Sequence, residues 1–190
     1  MENIKSRNHL GLLLDKLNLN NFGIEIGVAK GIFSEILLVN SKLKKLYSLD
    51  PWREYSKTEY NDTANCSQKD HDDRYNSVVE KLGKFGDRSQ IIRKDSIEAL
   101  GDFPDGYFDF IYIDANHAYE PVKIDINNWY PKLKIGGLFS GHDYIDAVTK
   151  HGVYGVKSAV DEFCKSKNIV PSITGGSRRC PPSWFFIKNS

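Results

Sequence analysis

The stretch "DFIYIDANHAYE", Asp109 to Glu120, decides the fold. A run of large apolar residues, Phe110 to Ile113, stops at Asp114, and Asn116 and His117 follow almost at once. Continuous apolar character, as opposed to alternation, fits a central parallel strand covered on both faces. The helical pattern behind it has Pro121 near its first turn, where proline is tolerated. Val122, Ile126, Trp129, Tyr130 and Leu133 then share one face. The stretch reads as a buried strand that delivers a carboxylate and an imidazole at its carboxyl end.

Outward from it, the same alternation repeats. "GIEIGV" from Gly23 is a short strand, followed by a helix from Gly31 with Ile32, Phe33, Ile36 and Leu37 on one face. "KKLYSLD" is a second strand ending at Asp50, and Pro51 prevents its simple continuation. A helix around Ser77–Leu82 and a third strand, "QIIRKD", precede the opening stretch, and "GGLFSGHDY" gives a fifth strand after it. Val153, Val156, Val160 and Phe163 mark another helix. Two late strands, near Ile173 and at "SWFFIK", have little between them and are expected to form an antiparallel hairpin, with Gly175, Gly176, Pro181 and Pro182 in the connection. The fold class is α/β: a Rossmann-like, doubly wound, mostly parallel sheet with helices on both faces.

Length and composition set the frame. The 190 residues suit one domain spanning 1–190, with an N-terminal amphipathic helix within 1–20 that carries Leu10, Leu13, Leu14 and Leu17. The net charge is +1, from 26 basic and 25 acidic residues, which argues against a nucleic-acid surface. Lys42, Lys44 and Lys45 cluster, and read as a solvated helix end. Cys66, Cys164 and Cys180 form no CxxC, so neither a zinc ribbon nor a redox dithiol is expected. Cys66 and His71 lack a second pair of metal ligands. Reduced thiols, the lack of a cleavable signal and the lack of a membrane-length apolar run point to a cytoplasmic protein without a membrane partner.

In open α/β sheets, ligands sit outside the carboxyl ends of the strands, near the point where strand order reverses. The five strand ends carry Glu25–Gly31, Asp50, Asp95–Ser96, Asp114–His117 and His142–Asp143, a carboxylate at every one. In the first turn, Gly27 permits close backbone approach and Gly31 relieves the contact between strand and helix. This is not the dinucleotide pattern, because Glu25 takes the place of its first glycine. A carboxylate there repels a pyrophosphate and suits a cation. Asp50 lies where an acid binds ribose hydroxyls. A positively charged nucleoside without phosphates satisfies both.

"GIEIGVAKG", "YSLDPW" and "DFIYIDANHAYEPVKIDINNWYPKLKIGGLFSGHDY" resemble the class I S-adenosylmethionine-dependent methyltransferases, in particular small O-methyltransferases of sugar-modifying and catechol type. The resemblance covers residues 20–165. It implies a seven-stranded sheet whose last strand is antiparallel. It further implies that Glu25, Gly27 and Gly31 surround the methionine part of S-adenosyl-L-methionine, that Asp50 holds the ribose, and that Asp95 and Ser96 border the adenine, with Asp114 beside the reactive methyl.

Methyl transfer from a sulfonium is an in-line displacement, for which the protein supplies alignment and a sufficiently nucleophilic acceptor. A hydroxyl needs a base or a metal to take its proton. Asp114, His117, His142 and Asp143 are the candidate catalytic residues. Catechol-type relatives bind magnesium through an acid after the fourth strand and an acid–amide pair after the fifth. Asp114 matches the first, but the pair falls on His142 and Asp143. Metal ligation by Asp114 and Asp143 therefore stands beside a metal-free reading in which His117 or the His142–Asp143 pair is the base.

Residues 51–75 are long for a connection and are expected to form an acceptor lid. Trp52, Tyr55 and Tyr60 would offer apolar faces, and Arg53, His71, Asp72 and Arg74 polar contacts. The acceptor expected is a hydroxyl of a sugar, glycan or small molecule. Three other readings stay open: an N-methyltransferase acting on protein or nucleic acid, a nicotinamide-dependent oxidoreductase, and cofactor binding without catalysis. The first usually carries an Asn/Asp-Pro-Pro-aromatic motif where this chain has "DANH". A homodimer, or a place within a larger polypeptide, is also compatible with the chain.

Overall fold

The computed structural model describes residues 4–62, 64–149, 152–177 and 180–189. Met1–Asn3 of the expected N-terminal helix region and Thr63 of the expected lid lie outside them, as do Arg178 and Arg179 of the late connection. The strands are β1 (Phe22–Ile26), β2 (Lys45–Leu49), β3 (Ser89–Ile92), β4 (Phe108–Ile113), β5 (Leu133–Gly141), β6 (Asp146–Thr149), β7 (Gly152–Gly155), β8 (Ser172–Ile173) and β9 (Trp184–Ile187). The helices are α1 (Leu10–Lys16), α2 (Ile32–Asn40), α3 (Gln68–Gly83), α4 (Tyr119–Trp129) and α5 (Val156–Ser166).

A seven-stranded sheet runs in the order β3–β2–β1–β4–β5–β9–β8. Strands β1 to β5 are parallel, and β9 lies antiparallel between β5 and β8, as the late-hairpin expectation required. All six residues of β4 are buried at the centre. Its side chains divide between two cores: Ile111 and Ile113 meet α4 and α5, whereas Phe110 and Tyr112 meet α1, α2 and α3. A register shift between Phe108 and Phe110 breaks strict alternation, leaving Asp109 buried. There Asp109 accepts from the Asn21 backbone and pairs with Lys134 at 2.7 Å. Burial of this kind without those partners would cost several kcal/mol.

α1 buries Leu10, Leu13 and Leu14 in the second core, next to α2. Leu17 ends the helix half-exposed. Truncating Leu14, which is fully buried, would cost about 2–5 kcal/mol.

Two expectations, for α3 and for β7, are corrected. α3 begins at Gln68, so the loop part of the 51–75 segment ends at Ser67, whose hydroxyl accepts from the Asp70 amide as an N-cap. The connection from β3 to β4 is only a short 3-10 turn over Glu98–Asp102. β6 and β7 form a separate antiparallel hairpin where a helix from Val153 was expected; α5 starts at Val156, and Val153 points outward from β7.

Candidate active site

Strand order reverses between β1 and β4, and a cavity of about 740 Å³ opens there at the carboxyl ends. The turn after β1 sets its floor. Gly27 adopts φ +90°, and a Cβ there would run into the Asp114 carbonyl, so only glycine lets the two strand ends approach so closely. Gly31, at φ +68°, begins α2. Its missing Cβ faces Val78 of α3, not a strand, and Gly31 does not line the cavity.

Glu25 is buried beneath the floor and accepts a hydrogen bond from Ser34. Burial pushes its carboxyl up to about 8, against the pull of Ser34. Burial thus favours the protonated form of Glu25 in the empty site. Asp50 accepts from the Val28 and Ala29 amides through Oδ2, each at 2.9 Å, and from the Trp52 amide through Oδ1. It braces the floor as well as lining the cavity.

Asp95 and Ser96 line the opposite end from Glu25 together with Ile97, Ile124 and Asp125. Tyr55 donates to Asp95, and Ser96 donates to Asp125 at 2.6 Å. Asp125, on α4, escaped the sequence reading. Burial pushes its carboxyl up to about 6 despite the Ser96 bond.

The ends of β4 and β5 bring the candidate catalytic residues together. His117 Nε2 lies 3.0 Å from Asp143 Oδ2 and 3.7 Å from Asp114 Oδ1, and its Nδ1 lies 3.0 Å from Asp62 Oδ2. Its ring stacks on Tyr154 of β7, with centroids 4.9 Å apart. Burial alone would discharge this imidazole, but Asp114, Asp143 and Asp62 outweigh it and hold its pKa near 12. Asp114 and Asp143 are held below the usual carboxylate range despite burial, chiefly by hydrogen bonding to His117. Asp143 occupies φ +50°, a left-handed conformation uncommon outside glycine, asparagine and aspartate.

His142 is placed differently from the expectation. Its Nδ1 lies 3.1 Å from Asp143 Oδ1, but the ring sits behind Asp143, near Cys180, and does not line the cavity. Asn116, not His117, supports the start of α4, accepting from the Ala118 amide.

The 51–67 segment supplies one wall. Tyr60 lines the cavity and Asp62 reaches His117, whereas Trp52 is fully buried against Tyr75 with its indole N–H on the Ala29 carbonyl. Trp52 is therefore structural and cannot face an acceptor. Asp72 is likewise turned away, paired with Arg93. Arg74 supports the loop by donating to the Ala64 carbonyl. His71 is buried, accepts weakly from the Cys66 amide and borders the cavity.

Arg7, Asp62 and Tyr154 join Asp125 as site residues without a signal of their own in the sequence. Arg7 donates to Asp114 Oδ2 at 2.8 Å and lies over the Phe33 ring at 5.0 Å. Asp62 and Tyr154 had local signals only as members of polar or turn-rich stretches.

A family model described as a methyltransferase domain matches residues 24–144, from β1 to the residue after Asp143. The chain belongs to this methyltransferase family. The matched region is a class I, S-adenosylmethionine-dependent methyltransferase domain, and it supplies the floor and all of the cavity lining except Arg7 and Tyr154.

Curated relatives of the methyltransferase include an uncharacterised protein of Sinorhizobium fredii, 35% identical over 82 residues, which are 43% of this chain and 9% of that one. A second, from Acanthamoeba polyphaga mimivirus, is 27% identical over 65% of this chain and 51% of its own length. The chain thus spans about half, or far less, of these relatives.

Solved structures share the fold at low identity. A protein assigned as a caffeoyl-CoA O-methyltransferase from Staphylococcus aureus is 18% identical with a TM-score of 0.68, covering 96% of this chain and 82% of that one. The Bacillus cereus O-methyltransferase in complex with SAH is 17% identical with a TM-score of 0.62, covering 96% and 80%. A protein assigned as an rRNA methylase from Clostridium thermocellum is 16% identical with a TM-score of 0.65, covering 100% and 99%. At these identities the methyltransferase shares their architecture, and acceptor choice is a matter for its own site.

Proposed function

We propose that this methyltransferase moves the methyl group of S-adenosylmethionine to a hydroxyl of a small molecule or glycan. The observation that carries the proposal is a single continuous cavity. It joins the Glu25–Gly27–Asp50 floor to the cluster of Asp62, Asp114, His117 and Asp143. Adenine is assigned to the Asp95–Ser96–Asp125 end, the ribose to Asp50, and the methionine part to Glu25 and Gly27. The sulfonium then points its methyl group toward Asp114.

The cluster is suited to taking a proton from oxygen. His117 faces the cavity with Nδ1 hydrogen-bonded to Asp62 and Nε2 3.0 Å from Asp143, so its orientation is fixed before any acceptor arrives. Its high proton affinity belongs to the site without cofactor. An arriving sulfonium adds positive charge beside Asp114 and lowers that affinity; once Nε2 has released its proton to solvent, its lone pair takes the acceptor's proton while Asp62 holds Nδ1–H and Asp143 stabilises the imidazolium that forms. Tyr60 and Tyr154 flank the cluster and offer apolar walls for a sugar ring or an aromatic ring. A nitrogen acceptor has less use for such a base, because an amine already carries its nucleophilic lone pair once neutral.

Asp114, His117 and Asp143 each bring a ligand atom within 4.8 Å of the others, so a cation could be held there. The set does not fit magnesium, which favours oxygen octahedra. An imidazole lies among the donors, and Arg7 already engages Asp114 Oδ2. Mixed imidazole and carboxylate sets suit manganese, iron or zinc better. No step proposed here needs a metal.

Among the described residues no helix is long and apolar enough to cross a membrane, and the three cysteines are free thiols. Both support the cytoplasm as the place of action. The proposal is tested by incubating the protein with methyl-labelled S-adenosylmethionine and a panel of monosaccharides, glycosides and catechols. Label on an acceptor oxygen is the expected result, and label on nitrogen acceptors alone would overturn it.

A further inference from the structure

We propose that Arg7 binds the carboxylate of the cofactor's methionine moiety, making the N-terminal segment part of the cofactor site. The proposal rests on the S-adenosylmethionine reading above and adds a residue outside the region matched by the family model. An α-amino acid needs an acceptor for its ammonium and a cation for its carboxylate. At the methionine end of the cavity the acceptor is Glu25, reached from β1.

Among the described residues, five lysines and arginines line the cavity: Arg7, Lys30, Arg53, Arg74 and Lys94. Lys94 pairs with Asp102, Arg74 holds the Ala64 carbonyl, and Arg53 lies over Tyr55 toward the adenine end. Lys30 is exposed at the rim. Arg7 alone stands by Glu25, Phe33 and Asp114, at the end where the amino acid must lie.

The way Arg7 is held suits a ligand. Its side chain is only 24% exposed, and its guanidinium rests over Phe33, with Nη1 on Asp114. A guanidinium presents five N–H donors in a planar fork that matches a carboxylate. Contacts to Asp114 and Tyr112 orient that fork and leave donors of the five over for a ligand. The segment that carries Arg7 is pinned on its other side, where the Gly175 amide donates to the Ile4 carbonyl at 3.0 Å. Cofactor and catalytic carboxylate would then share one cation. Arg7 would align Asp114 with the cofactor that it also grips.

Titration calorimetry with two ligands separates this role from a structural one. S-adenosylhomocysteine carries the amino acid group, and methylthioadenosine lacks it. Arg7→Gln is expected to weaken S-adenosylhomocysteine by about 10- to 100-fold, with methylthioadenosine held within about twofold. Arg7→Lys should fall between Arg7→Gln and the native protein. Equal weakening of both ligands, or no weakening of either, would overturn the proposal. So would native protein that binds S-adenosylhomocysteine no more tightly than methylthioadenosine, an outcome that leaves the methyltransferase reading intact. Native protein that binds neither ligand would contradict that reading itself, and the Arg7 assignment with it.

Discussion

His117 stands between carboxylates from distant parts of the chain: Nδ1 is 3.0 Å from Asp62 and Nε2 is 3.0 Å from Asp143. The pair fixes the ring in the cavity wall at the carboxyl end of β4. If this ring is the base, His117→Ala should lower turnover by about 10²- to 10⁴-fold, the usual scale of a positioned acid–base group. Asp143→Ala should do nearly the same. Cofactor affinity, measured by calorimetry, should change little in either. Undiminished turnover in both variants would remove the cluster from the chemistry.

Asp62 tests how the charge on His117 is set. It is one of the three carboxylates that raise the imidazole. Asp62→Asn keeps the shape and removes that charge, so the ring gives up its proton more easily. A rate that depends on neutral His117 should then rise at lower pH, with the ascending limb of the pH–rate profile displaced downward by about 1–2 units. An unmoved profile would mean that another group takes the proton.

Glu25 gives a signature in stability. Burial raises its carboxyl to about 8, so its contribution is fully present below about 4.5, the ordinary range for the unfolded chain. It is lost as pH rises through about 8. Glu25→Gln removes this slope. Its melting temperature should match that of the native protein near pH 4.5 and exceed it by about 10 °C at pH 8.5. Parallel curves across that range would contradict the burial argument.

The 51–67 segment is expected to close over the cofactor, since it contributes Tyr55 at one end of the cavity and Asp62 at the other. Lys57 is exposed on it and gives trypsin a reporter site. Adding S-adenosylhomocysteine should slow cleavage after Lys57 several-fold. Identical cleavage rates would make the segment a static wall.

Removing divalent cations by chelation should leave turnover intact, given the imidazole among the donors and Arg7 on Asp114. Loss of activity that magnesium alone restores would show that the oxygen set of the catechol-type enzymes operates here in spite of His142.

Much of this architecture is legible in the chain because burial is written in residue type. β1, β2, β4 and β5 are apolar runs that end in a carboxylate, and sheet order places those ends around one cavity. The Val153–Val156–Val160–Phe163 series misled because helical spacing also admits a strand residue just before a helix: Val153 is exposed on β7 and Val156 is buried on α5. The start of α3 was hidden by its polarity, since only His71, Val78 and Leu82 are buried on it. A Ser67-x-x-Asp70 cap was the available signal. Arg7 and Asp62 could not be found by local pattern. They meet Asp114 and His117 across 107 and 55 residues, contacts that only the folded topology creates.

Everything proposed for the site turns on methyl transfer from S-adenosylmethionine to oxygen at the His117–Asp143 cluster. Mass spectrometry of the product from a labelled-cofactor reaction tests it most directly, run with native protein and His117→Ala side by side. One methyl group on an acceptor hydroxyl is expected with native protein, and almost none with the variant. A methyl group on nitrogen, or equal O-methylation by both proteins, would contradict it.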